Sequence, residues 1–85
     1  MIYEIKLHPN VEKFLNKLDG DLREKLKTRL RKLGEDPYRY LEHFEVDSCH
    51  KFRLGDYRAL VDVDKARSIV FIRVLDHRSR IYDKK

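Results

Sequence analysis

The sequence predicts a single α+β domain. It should have an N-terminal strand, an antiparallel two-helix hairpin and a mainly antiparallel meander of three to four strands, forming one sheet with the helices on one face. Three observations carry this. Apolar and polar residues alternate over the first seven positions, leucines recur at helical spacing from Val11 to Leu33, and three alternating segments follow Cys49 with short turns between them. With 85 residues there is room for one core, so the domain should span 1–85, near the lower size limit for a self-sufficient fold.

The first strand is Ile2-Tyr3-Glu4-Ile5-Lys6-Leu7, ended by His8-Pro9. Pro9 suits the first turn of a helix, where its missing N–H costs nothing. Val11, Phe14, Leu15 and Leu18 then fall on one helical face, and Gly20 is the natural stop. Asp21 with Glu24 forms a D-x-x-E capping pattern for a second helix. Leu22, Leu26, Leu30 and Leu33 line one side of that helix, and Gly34 closes it. Asp36-Pro37 signals a turn, and residues 38–47 read as a loop ending in a short edge strand. Cys49 to Leu54, Tyr57 to Val63 and Ser68 to Leu75 are strands, joined by a two-residue turn at Gly55-Asp56 and a longer one at Asp64-Lys65-Ala66-Arg67.

The net charge is +5, and it is unevenly placed. Residues 1–47 hold ten Lys/Arg against ten Asp/Glu, whereas residues 48–85 hold ten against five. A localised basic field suits a polyanionic partner, nucleic acid or an acidic protein. No apolar run reaches the roughly 18 residues of a membrane span, and the N-terminus lacks a signal-peptide profile, so a cytoplasmic protein without membrane contact is expected. The single cysteine, Cys49, excludes an internal disulfide framework and fits a reducing compartment.

The hairpin turns specify a register. A two-residue turn at Gly55-Asp56 sets Leu54 opposite Tyr57, Arg53 opposite Arg58 and Phe52 opposite Ala59. A turn centred on Lys65-Ala66 sets Val63 opposite Ser68, Val61 opposite Val70, Ala59 opposite Ile72 and Arg58 opposite Arg73. The face toward the helices would be Phe52, Leu54, Tyr57, Ala59, Val61, Val70, Ile72 and Val74. The other face would carry Lys51, Arg53, Arg58 and Arg73, with Leu60, Phe71 and Leu75 among them, and His77 on the same parity. Like charges directly opposite in a sheet cost a few tenths to ~1 kcal/mol per pair. An anion over the row would relieve that repulsion, because guanidinium forks match phosphate oxygens. Alternatively, carboxylates such as Asp62 and Asp76 neutralise the row. Arg78, Arg80 and Tyr82 follow His77, adding cations, a titratable ring and a group able to stack on a base.

The segment Lys51-Phe52-Arg53-Leu54-Gly55-Asp56-Tyr57-Arg58, with His77-Arg78-Ser79-Arg80-Ile81-Tyr82 after an apolar strand, resembles the RelE/ParE superfamily of toxin–antitoxin toxins. The family patterns are K-x-R-x-G-x-Y-R and H-R-x-x-[IV]-Y, and the resemblance covers almost the whole chain. It implies a RelE-like toxin domain of the RelE branch. Such a toxin is an endoribonuclease that cuts mRNA in the ribosomal A site without a metal, the ribose 2′-hydroxyl attacking the adjacent phosphate, and so inhibits translation. Its implied partners are the ribosome, mRNA and an acidic, RelB-like antitoxin, with no small-molecule cofactor. By the same resemblance Arg58 holds the scissile phosphate, and Lys51 and Arg53 bind flanking phosphates or assist proton transfer. His77 or Arg78 supplies the acid or a further positive charge, and Tyr82 stacks on the base or moves a proton. Arg80 joins the phosphate-binding group, and Arg73 enters it through the register alone. Some relatives carry a lysine where this chain has Cys49, others use a glutamate as base, and no carboxylate takes that place here. The rival readings are a ParE-like gyrase inhibitor without nuclease chemistry and an inactive RNA-binding relative.

His43, Cys49 and His50 are close in sequence but lack the compact repeated spacing of zinc ligands, and Cys49 and His50 point to opposite faces of a strand. No metal site is expected. Cys49 also lacks the surroundings of an acyl-transfer nucleophile, and there is no Gly-rich phosphate loop or Ser-His-Asp set.

Overall fold

The computed structural model of the chain describes residues 2–44 and 49–81. The elements run β1 (Glu4–Leu7), α1 (Pro9–Asn16), α2 (Gly20–Glu35), α3 (Pro37–Tyr40), β2 (Glu42–Phe44), β3 (Cys49–Leu54), β4 (Tyr57–Asp64) and β5 (Ile69–His77). The five strands form one sheet in the order β1-β5-β4-β3-β2. The meander β2–β5 is antiparallel throughout, and β1 adds in parallel to β5, with Glu4 opposite Ile69 and Leu7 opposite Ile72.

The helices cover one face of this sheet. Val11 and Leu15 of α1 and Leu26, Leu30 and Leu33 of α2 are buried with Phe52, Leu54, Ala59, Val61, Val70, Ile72 and Leu75 of the strands. Each fully buried aliphatic side chain contributes roughly 1.5–3 kcal/mol by leaving water, and this set is the main stabilising element of so small a domain. The leucine spacing of α2 therefore reads through directly into packing.

Helix boundaries depart from expectation at the glycines. His8 caps α1, its Nδ1 accepting the N–H of Asn10 at 3.1 Å, and Pro9 takes the first turn as expected. The helix ends at Asn16, and Gly20 is not its stop but the first residue of α2, with Asp19 rather than Asp21 in the N-cap position. Gly34 lies inside the last turn of α2, which runs on to Glu35. Its role is close approach. The Tyr3 N–H donates to the Gly34 carbonyl at 2.7 Å, and a Cβ at Gly34 would sit 2.8 Å from the Tyr3 carbonyl oxygen. Residues 38–47, expected as a loop and edge strand, begin with the helical turn α3, and β2 follows; residues 45–48 lie outside the described set.

The β3–β4 register is as the turn dictates: Leu54 faces Tyr57, Arg53 faces Arg58 and Phe52 faces Ala59. Gly55 has φ +64°, the left-handed conformation that glycine adopts most readily in a tight hairpin. The β4–β5 register differs from expectation twice. The turn is Lys65–Ser68, so Asp64 faces Ile69 and Val63 faces Val70, two residues from the expected pairing. Ser68 at φ 57° and an Asp64 Oδ1 that accepts the Arg67 N–H at 3.1 Å shape this turn. A shift of two leaves the faces unchanged.

The second difference does not. Val61 faces Ile72 but Leu60 faces Val74, so Arg73 is the extra residue of a β-bulge. Beyond it every side chain of β5 changes face. Leu75, expected outside, enters the core, and Val74, expected in the core, packs on the outer face with Leu60 and Ile81. The sequence explains the slip. Continuous alternation would have driven Asp76 among the helix leucines, and the bulge turns it outward while bringing Leu75 in.

Candidate functional site

The bulge dissolves the expected row of arginines. Arg58 faces Asp76, not Arg73, and Arg53 remains directly opposite Arg58. Arg73 is neutralised by Asp62, with 3.3 Å between Nη1 and Oδ2. His77 is not on the face of Arg58. It pairs with Tyr57 across the strands and shares the helix-covered side, its ring edge-on to Tyr57 at 5.6 Å between centroids. Tyr57 in turn meets Phe14 of α1 edge-on at 5.9 Å.

What the structure does assemble is a rim at one end of the sheet, around the Gly55-Asp56 turn. Arg58 folds back along its own strand end, its Nη1 donating to the Gly55 carbonyl and to the Tyr57 carbonyl at 2.8 Å. The Arg78 N–H donates to the Asp56 carbonyl at 2.8 Å, and its Nε lies 3.9 Å from an Asp56 carboxylate oxygen. Both side chains of that pair are largely exposed, so this contact orients Arg78 more than it neutralises it. Arg53 is exposed beside Arg58, and Lys51 continues the same outer face two residues up β3.

After His77 the chain turns onto the outer face. The Arg80 N–H donates to the His77 carbonyl at 2.9 Å, and Ile81 is fully buried against Leu60 and Val74. Asp76 is the one buried charged residue among those described, 4% exposed. Its Oδ1 accepts the His77 backbone N–H at 2.7 Å and the Arg80 Nε and Nη2 at 3.2 and 3.0 Å. Arg80 is therefore engaged by a carboxylate, as Arg73 is.

The His77 ring is oriented by Ser79. The Ser79 backbone N–H donates to Nδ1 at 3.2 Å, and Ser79 Oγ lies 2.9 Å from the same nitrogen. A backbone N–H can only donate, so Nδ1 is the acceptor and the neutral ring carries its proton on Nε2. Tyr82 lies outside the described residues, as do the side chains of His43 and Cys49. His50 is on β3 with its ring edge-on to Tyr38 at 6.1 Å. Among the described residues no three His, Cys, Asp or Glu side chains converge, and no helix is long and apolar enough to cross a membrane.

Asp76, Tyr57 and Ser79 are the members of this rim that the spacing of basic residues does not reveal. The available signal was the lone carboxylate of Asp76 in a strand whose other residues are apolar or basic.

A two-helix layer over a mixed sheet, with cations gathered at one rim of the sheet, is a small α+β domain with a localised positive field. The family is specific. The ParE toxin of type II toxin-antitoxin system, parDE, matches over residues 5–82, and the chain belongs to this family of toxins. The toxin–antitoxin complex RelBE2 of Mycobacterium tuberculosis shares the fold, with a TM-score of 0.83 at 22% identity over 93% of this chain and 94% of that one. The archaeal RelE–RelB complex of Pyrococcus horikoshii gives 0.76 at 25% identity over 94% and 99%. The isolated E. coli RelE toxin gives 0.71 at 26% over 96% and 93%. Among curated proteins, the DNA protection during starvation protein of Streptococcus suis is 34% identical over 68 residues, and the chain spans 39% of that relative's length.

Proposed function

We propose that this toxin is a metal-independent endoribonuclease of the RelE branch, which cuts mRNA in the ribosomal A site and stops translation. The observation that carries the reading is the Arg53–Arg58 pair, two like charges held directly opposite each other beside the Gly55-Asp56 turn to which the Arg78 backbone is bonded. Like charges directly opposite in a sheet are destabilising, and an anion over them would relieve the repulsion. In the reaction the ribose O2′ bonds to the adjacent phosphorus as the bond to O5′ breaks. The 2′-hydroxyl proton leaves to a base, and O5′ takes up a proton. Arg58 and Arg53 hold the phosphate and stabilise its added charge, with Lys51 on the flanking backbone. Arg78 adds charge from the far side of the turn. His77, with its proton on Nε2, gives a hydrogen bond to the leaving oxygen, which takes up its proton from solvent. Tyr82 stacks on the base or relays a proton. Arg73 and Arg80, each paired with an aspartate, take a lesser part in phosphate binding. An acidic RelB-like antitoxin is the cognate partner, in keeping with the RelE–RelB complexes of its structural relatives.

A gyrase-directed function is the second reading, favoured by the ParE family match. Mapping of mRNA 5′ ends in arrested cells, beside a gyrase supercoiling assay, separates them. Discrete cleavage within codons and unaffected gyrase are expected. Arg58→Ala should lower cleavage by about 10²–10³-fold, the usual loss of one preorganised charge donor. Intact mRNA with inhibited supercoiling sinks the nuclease reading.

A further inference from the structure

Asp76 is the most constrained polar group of the described chain and has no part in the reading above. It faces Arg58 across the β4–β5 ladder, yet at 4% exposure it is covered by the C-terminal turn, and Oδ1 alone accepts three N–H groups. A carboxylate so engaged and so covered does not reach substrate. What it does reach is the start and the end of the turn that carries the proposed donor. Through the His77 N–H it fixes the backbone at His77, and through Arg80 it fixes the residue three further on. Between these two anchors sits Ser79, whose backbone N–H selects the His77 tautomer. Ile81, buried beyond Arg80, closes the same turn against Leu60 and Val74.

We propose that Asp76 is the positioning residue of the site: its Oδ1 organises the 77–80 turn so that Ser79 holds the His77 ring, packed edge-on against Tyr57, with its proton on Nε2 at the strand end that also carries Arg58. The inference rests on the nuclease reading for its consequence but not for its geometry. It also accounts for the bulge at Arg73, since only the bulged register sets Asp76 beneath the turn instead of among the helices. A hydrogen-bond acceptor is what the role requires. The negative charge serves Arg80, which is largely exposed and so gains little from it.

The test uses the full-length chain labelled with 15N-histidine, with the His77 resonances assigned by their loss in His77→Gln. Ring nitrogen spectra are taken where the ring is neutral, beside single-turnover cleavage of mRNA on programmed ribosomes. Asp76→Leu keeps the shape without the acceptor, and Asp76→Asn keeps the acceptor without the charge. In wild type and Asp76→Asn, Nδ1 should be unprotonated and the cleavage rates close. Asp76→Leu should show a tautomer mixture and cleave about 10²-fold more slowly, as expected for a displaced reacting group, with KM unchanged. Asp76→Ala replaces it if the leucine variant does not fold. A leucine or alanine variant with the wild-type tautomer and rate overturns the proposal. So does equal loss in Asp76→Asn, which would make the charge the cause. If wild type cuts no mRNA, the nuclease reading fails, while the tautomer comparison still decides the role of Asp76.

Discussion

Between Ile69 and Ile72, β5 has β1 on one side and β4 on the other, and Val70 and Ile72 are fully buried. Between Arg73 and His77 it keeps β4 alone as a strand neighbour among the described residues, and it carries Asp76 and His77. One continuous strand thus divides at a single extra residue into a half that holds the fold and a half that carries residues of the proposed site. The difference teaches that face assignment here is set locally. The first half obeys the alternation of its apolar residues, and the second obeys the need to keep a carboxylate out of the helix layer.

Leu75→Asp breaks that division most severely, because it sets a carboxylate at the position where the bulge brings Leu75 into the core. A lost core leucine costs about 2–5 kcal/mol and an unpaired buried charge several more, comparable with the whole stability of about 5–15 kcal/mol for a small domain. Circular dichroism during urea titration should show no cooperative transition. A wild-type midpoint would mean that position 75 does not face the helix layer.

Substitution on either side of the bulge measures the two halves separately. Ile72→Ala should cost about 2–5 kcal/mol, and Val74→Ala, half-buried in the small cluster with Leu60 and Ile81, roughly 1 kcal/mol. The urea midpoints of the two variants give the comparison directly. Equal losses would show that the outer cluster is as important to stability as the helix-covered core.

The smallest effect is expected for Arg73→Ala. Its pair with Asp62 is 57% and 44% exposed, which places its contribution below about 1 kcal/mol. Growth arrest on induction should persist with little change. Loss of arrest in a folded Arg73→Ala protein would return Arg73 to the phosphate-binding group.

Much of this architecture was legible in the sequence because its determinants are local. The two-residue turn at Gly55-Asp56 dictates the Arg53–Arg58 pairing, and the leucine spacing of α2 dictates which side of that helix is buried. The misreadings share a physical origin. Gly34 reads as a helix stop when the chain is considered alone, but it is a contact with β1, more than twenty-five residues away. The position of His77 depends on a bulge that no turn signal announces, because its cause lies in the packing of Leu75 and in the turn that covers Asp76. The candidate site was therefore legible as a set of residue types, and as one correct pair, but not as a geometry.

The parallel pairing of β1 with β5 has a further consequence, in time rather than in space. Glu4–Leu7, made before the other described elements, find their strand partners at Ile69–Ile72, in the last of the described strands. Closing so long a loop is slow and cannot begin until β5 exists. β5 also carries His77 and Asp76, so a chain lacking it keeps the β2–β4 strands but has neither a partner for β1 nor these two residues. The order of synthesis therefore holds the β1 side of the sheet open until the last described strand is made.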